Sequence, residues 1–132
     1  MKIESKKVAV HANQETIFKF LTDSTNLLHI LPADKISDWK STSTECSFKV
    51  QGGVTISLIQ NGSEGMEKIF MKSGEKSPFP FNLTIFNNVI GETANGHIEF
   101  DGEVNKFLKM MVEKPLTSLF NQMAEKLQEH FQ

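Results

Sequence analysis

The feature that most constrains this chain is a change of hydrophobic period. From Ile36 to about Asp101 apolar residues recur at every second position, and beyond Val104 they recur at spacings of three and four. Side chains alternate between the two faces of a strand but line one side of a helix at i, i+3 and i+4, so the chain reads as strands followed by one long helix. Cys46, Phe48 and Val50 alternate with Ser47 and Lys49. Val54, Ile56 and Leu58 alternate with Thr55 and Ser57, and Gly52-Gly53 lies between the two runs as a tight turn. Asn61-Gly62 predicts a second turn, before Ile69 and Met71. Ser77-Pro78-Phe79-Pro80 is a stiff connection into Phe81, Leu83 and Ile85, and Asn95-Gly96 predicts a further turn before Ile98 and Phe100. With a segment around Trp39 this makes six strands, and their short connections require antiparallel pairing.

The flanks complete the layout. Residues 2–10 are charged and β-branched and predict a first strand. Asn13 precedes Gln14–Leu21 as a helix N-cap, with Glu15 in the first turn. Asp23 or Ser24 caps a second short helix carrying Leu27, Leu28, Ile30 and Leu31, which Pro32 ends. Pro115 interrupts the last helical pattern, so the long helix is expected to kink, rigidly or as a hinge. The sheet's apolar face needs a cover, and the long amphipathic helix is the available one. The expected fold class is α+β: a helix-grip domain spanning 1–132, with a seven-stranded antiparallel sheet wrapped over a long C-terminal helix and two short helices after strand 1. No linker or repeat divides it.

On these residues the chain resembles the START and pollen-allergen superfamily, also called SRPBCC, and most of all its small stand-alone bacterial members. The resemblance is carried by Ile3-Glu4-Ser5-Lys6, by Val10-His11-Ala12, by Glu15 through Asp23, and by Leu31-Pro32 before the Trp39 strand. Where many members have Pro after that Ala, this chain has Asn13. The resemblance implies a cavity between helix and sheet, often used for lipids, sterols, polyketides or other apolar molecules. It specifies a fold and not a reaction.

The expected function is therefore non-catalytic binding or transport of a small hydrophobic ligand in that cavity. Its walls are the inward positions Trp39, Phe48, Ile56, Leu58, Ile69, Met71, Phe81, Leu83, Ile98 and Phe100, with Leu108, Met111, Leu119 and Met123 from the helix. The same residues could instead pack against one another, which leaves a protein-interaction or dimerisation module with a filled core as one alternative. A polyketide cyclase- or dehydratase-like enzyme is the other. Catalysis needs ionisable groups converging on a substrate, and the chain contains neither Arg nor Tyr, so no catalytic residue and no cofactor is expected.

His97, Glu99 and Asp101 share one strand face, but Ile98 and Phe100 take the inner face, so the trio is expected in solvent and no metal site is assigned. His11, His29 and His130 form no H-x-x-x-H arrangement, and His29 is placed at the rim of the expected cavity. Cys46 alternates inward and is expected to be buried and unreactive. Phe70 and Phe86 alternate outward, either as a contact patch or as residues that a bulge turns inward.

Composition narrows the partners. All 14 basic residues are lysine and the net charge is −2, which excludes arginine-based readout of nucleic acid. No apolar run approaches a bilayer span and the start lacks a leader-like apolar core, so no membrane insertion is expected. Cys46 is alone, and a cytoplasmic location, as a monomer or weak homodimer, fits these features.

Overall fold

Eight strand segments form one antiparallel sheet in the computed structural model, which describes residues 1–52 and 54–132. They are β1 (Lys2–Glu4), β2 (Val8–Val10), β3 (Ile36–Ser41), β4 (Glu45–Val50), β5 (Val54–Glu64), β6 (Lys68–Ser73), β7 (Phe81–Ile90) and β8 (Thr93–Gly102). The order is β1-β8-β7-β6-β5-β4-β3, and β2 also pairs with β8. The expected first strand is thus two segments on one partner. They are separated at Ser5, which exchanges both backbone partners of Ile98: Ser5 N–H donates to the Ile98 carbonyl, and Ile98 N–H donates to Ser5 Oγ, each at 2.8 Å.

Two expected turns are not turns. Asn61-Gly62 lies inside β5, where the pairing with β6 shifts register between Gln60 and Ser63; Gly62, at φ 85°, supplies the bulge. Asn95-Gly96 lies inside β8, opposite Asn88 and Asn87, and the hairpin closes at Gly91-Glu92 instead. Gly96 faces the long helix: a Cβ there would lie 3.4 Å from Leu127, in van der Waals contact. In a strand these glycines mark a bulge at Gly62 and a helix contact at Gly96 rather than chain reversal. At the Gly52-Gly53 turn, Gly52 has φ 107° and Gly53 lies outside the described residues.

Helix α1 (Gln14–Leu21) begins as expected, with Asn13 Oδ1 accepting from Thr16 N–H at 2.8 Å. The second short helix, Ser24–Ile30, is a 3-10 helix capped by Asp23. Helix α2 (Lys106–His130) is capped by Asn105 and continues through Pro115, where the ring removes the helical bond to the Met111 carbonyl.

The inner face of the sheet follows from register. Phe48↔Ile56, Cys46↔Leu58, Met71↔Leu83 and Leu83↔Phe100 are directly paired. Val112, Leu116, Leu119, Phe120, Met123 and Leu127 of α2 are buried against that face. Phe100 is central: its ring lies 4.8 Å from Phe81, 5.1 Å from Phe120 of α2 and 6.3 Å from Phe79. Asn87 is buried on the same face and makes three hydrogen bonds to Gln14 and Met66. Its side-chain amide Nδ2 donates to the backbone carbonyls of Gln14 and Met66, and its backbone carbonyl accepts from Gln14 Nε2, which ties α1 to β7.

Trp39 reaches the inner side through a bulge in β3. Asp38 adopts φ 55°, a left-handed conformation that Asp tolerates better than most residues, and Trp39 then stacks on Phe48 at 6.2 Å.

Gly102 lies beneath the Phe100 ring, and a Cβ there would approach Phe100 Cε1 to 2.9 Å and Phe79 Cε2 to 3.2 Å. Gly102→Ala is therefore expected to lose about 1–3 kcal/mol of stability through overpacking, measured by urea unfolding. Unchanged stability would mean that the aromatic cluster yields freely.

Candidate functional site

The expected cavity walls do come together, but as packed core. Phe48, Ile56, Leu58, Ile69, Met71, Phe81, Leu83, Ile98, Phe100, Leu119 and Met123 are each no more than 4% exposed. A water-sized void among them would leave free surface on these side chains, and they have almost none. Trp39 and Leu108 are only partly buried. Met111 departs from its expected inward position: it is 56% exposed, as are Phe107 (71%) and Met110 (79%). Helical phase explains this: Met111 lies nine residues, and so about 180°, from Phe120, on the face of α2 turned away from the buried residues Val112, Leu116 and Phe120. Phe120, which the expected wall omits, provides the aromatic contact from the helix.

The open concavity next to this core lies where α2 passes the β4–β5 turn. It measures about 390 Å³ and is lined by Val50, Gln51 and Gly52 from the turn, by Lys114, Pro115, Ser118 and Leu119 from α2, and by Lys35. Val50, Pro115 and Leu119 make its apolar floor, and the two lysines supply positive charge. A larger hollow of about 500 Å³ lies on the outer face between β3–β5 and the Gly74–Lys76 loop, and its lining is mostly hydroxyl-bearing or charged.

The inner face offers little acid–base chemistry. Among the described residues the buried titratable side chains are Cys46 and His97. Cys46 is inward as expected; burial, reinforced by the neighbouring Glu45 carboxylate, pushes its thiol up to about 12. His97 points outward as expected, yet it is not in solvent. It is 7% exposed and stacks face-on against Phe86 at 4.4 Å and 6°. The β6–β7 and β7–β8 pairings are regular around Phe70 and Phe86, so no bulge turns them inward. Phe86 is instead sheltered between His97 and Lys68, whose Nζ lies 5.7 Å from the ring.

His29 is not at the cleft. Its ring is 5.8 Å from His130 in the last turn of α2, beside Phe20. His11 is exposed after β2. No helix is long and apolar enough to cross a membrane among the described residues.

No protein-family model matches the sequence, and no curated protein matches it. Solved structures do resemble the fold. The KanY protein (ms6282) superposes with a TM-score of 0.78 at 13% identity, covering 99% of this chain and 97% of that one. A START superfamily protein from Mycobacterium smegmatis gives 0.66 at 14% identity over 98% and 96% of the two chains. The Aha1 dimer from Colwellia psychrerythraea gives 0.69 at 11% identity over 99% and 96%. The chain therefore has the START-like helix-grip fold over its whole length, and identities this low establish the fold alone.

The Cys46 thiol gives a direct check on the packed interior. Its folded pKa lies above the ordinary value of 9.0, so the folded state holds the proton more tightly. Its stabilising effect is complete below that ordinary value and is lost as pH rises from 9.0 towards 12. Stability should fall more steeply over this range in the native protein than in Cys46→Ala. A thiol reagent at neutral pH should label Cys46 only as fast as the chain unfolds; rapid labelling would show that the β3–β4 edge opens.

Proposed function

We propose that this START-like chain binds a small apolar molecule without converting it, in a reducing cytoplasm. The supporting observation is the cleft beneath Pro115. Its volume lies within the range of small-molecule sites, its floor is apolar, and it continues into the packed interior at Leu119. Lys35 and Lys114 suit a ligand with one anionic end.

Pro115 provides the way inward. The first turns of α2 lack one helical hydrogen bond and expose Phe107, Met110 and Met111, so less holds them than holds the turns over Phe100. When those turns lift, Leu108 and Met111 can cover a ligand. Trp39, Phe48, Ile56, Leu58 and Leu119 then become its nearer walls, and the rest of the predicted set becomes the deeper wall.

A second reading is favoured by the filled interior itself: an interaction or dimerisation module that uses the exposed Phe107, Met110 and Met111. The structurally similar Aha1 from Colwellia psychrerythraea is a dimer, which supports weighing this reading here. A cyclase-like enzyme gains less support, because among the described residues Cys46 is the one ionisable side chain buried on the inner face.

Titration with an apolar fluorescent dye separates the first two readings. Ser118→Trp fills the cleft from its rim and should weaken dye binding at least about tenfold, with an unchanged circular-dichroism spectrum. Pro115→Ala restores the helical bond and should slow dye uptake while raising the melting temperature. Equal dye affinity in Ser118→Trp would overturn the cleft reading, and a concentration-dependent mass lost in Met110→Lys would establish the interaction reading.

A further inference from the structure

On the outer face of the sheet, far from the interior just described, the two segments at the start of the chain complete a cluster that sequence spacing did not reveal. Glu4 of β1 lies directly opposite Glu99 of β8, and His97 lies two residues along β8. His97 Nε2 is 3.0 Å from Glu99 Oε2 and 3.8 Å from Glu4 Oε1, and one ligand atom from each residue lies within 4.8 Å of the other two. Asp101, the third carboxylate of the expected trio, instead lies opposite Lys2.

We propose that Glu4, His97 and Glu99 bind a divalent transition-metal ion of the zinc class, which clamps the first strand to β8. Like charges directly opposite on one sheet face destabilise a strand pair. Here the two glutamates are opposed, and among the described residues neither has a lysine within ion-pair distance; the nitrogen that each meets is His97 Nε2. A cation between them removes the repulsion.

The spacing suits a metal ion. Four ligands at about 2.1 Å from a tetrahedral ion lie about 3.4 Å apart, and the two measured distances from Nε2 fall on either side of that value. An imidazole nitrogen with two carboxylates selects zinc-like ions over calcium or magnesium, which prefer all-oxygen shells.

The nitrogen is also held in place. Phe86 stacks flat on the imidazole, Lys68 lies over Phe86, and the Ser5 clasp on Ile98 holds the adjoining turn of chain. A buried ring of fixed orientation aims Nε2 at two carboxylates that are about half exposed and free to adjust. Three protein ligands leave one coordination position for water.

The test is calorimetric titration of the full chain with zinc alone, with the histidine ring resonances followed by NMR. One zinc should bind per chain, shift the His97 resonances and raise the melting temperature. Glu4→Gln keeps the surface shape and should weaken binding at least about tenfold and abolish the thermal shift. His130→Gln, which breaks up the separate His29–His130 pair, should leave both unchanged. The proposal is overturned if saturating zinc leaves His97 unmoved, if Glu4→Gln binds as tightly as the native chain, or if His130→Gln abolishes the binding.

Discussion

Phe100 is where sheet and helix meet, and the rest of the architecture depends on that contact. Its ring touches Phe81 and Phe79 within the sheet's own layer and Phe120 on the helix above. An antiparallel sheet with one apolar face is stable only when that face is covered, and α2 is the covering element. Aromatic rings bury large areas, so a cluster of four at the crossing point anchors α2 over β8. The approach of Leu127 to Gly96 fixes the other end of the crossing.

That anchor also decides where the chain has room for function. The carboxy-terminal half of α2 is pressed onto the core, whereas the turns before Pro115 bury Val112 but expose Phe107, Met110 and Met111. Packing density is therefore uneven along a single helix. The interior at Phe100 is solid, whereas the β4–β5 turn faces a cleft and a helical segment with unused apolar surface. The proposed binding site lies at that margin, where rearrangement disturbs the fewest packed side chains.

The inward set from Phe48 to Phe100 was legible because the side-chain period of a strand is two. Any regular register then keeps every second residue on one face. The helical part was less legible, since apolar residues occur on both faces of α2: Met111 and Phe120 lie about 180° apart, and only the docked rotation of the helix tells which of them is covered. Asn61-Gly62 and Asn95-Gly96 misled for a related reason. Asn-Gly marks a hairpin when strands end there, but the same glycine serves a bulge or a close helix crossing when pairing continues. The cluster of Glu4 with His97 and Glu99 joins residues more than ninety positions apart, and spacing within β8 pointed to Asp101 instead.

By itself the sequence determined the fold class, the inward face of the sheet, the helix cap at Asn13, and the buried thiol of Cys46. Each is a local property, set by alternation, by capping chemistry, or by the apolar neighbours of one side chain. Tertiary structure alone decided that the interior is filled, that Met111 is exposed, that Phe86 shelters His97, and that Glu4 completes the outer cluster. Those outcomes depend on which distant segments become neighbours, and pairing across the sheet is set by the packing of the whole core, with no single stretch of chain encoding it.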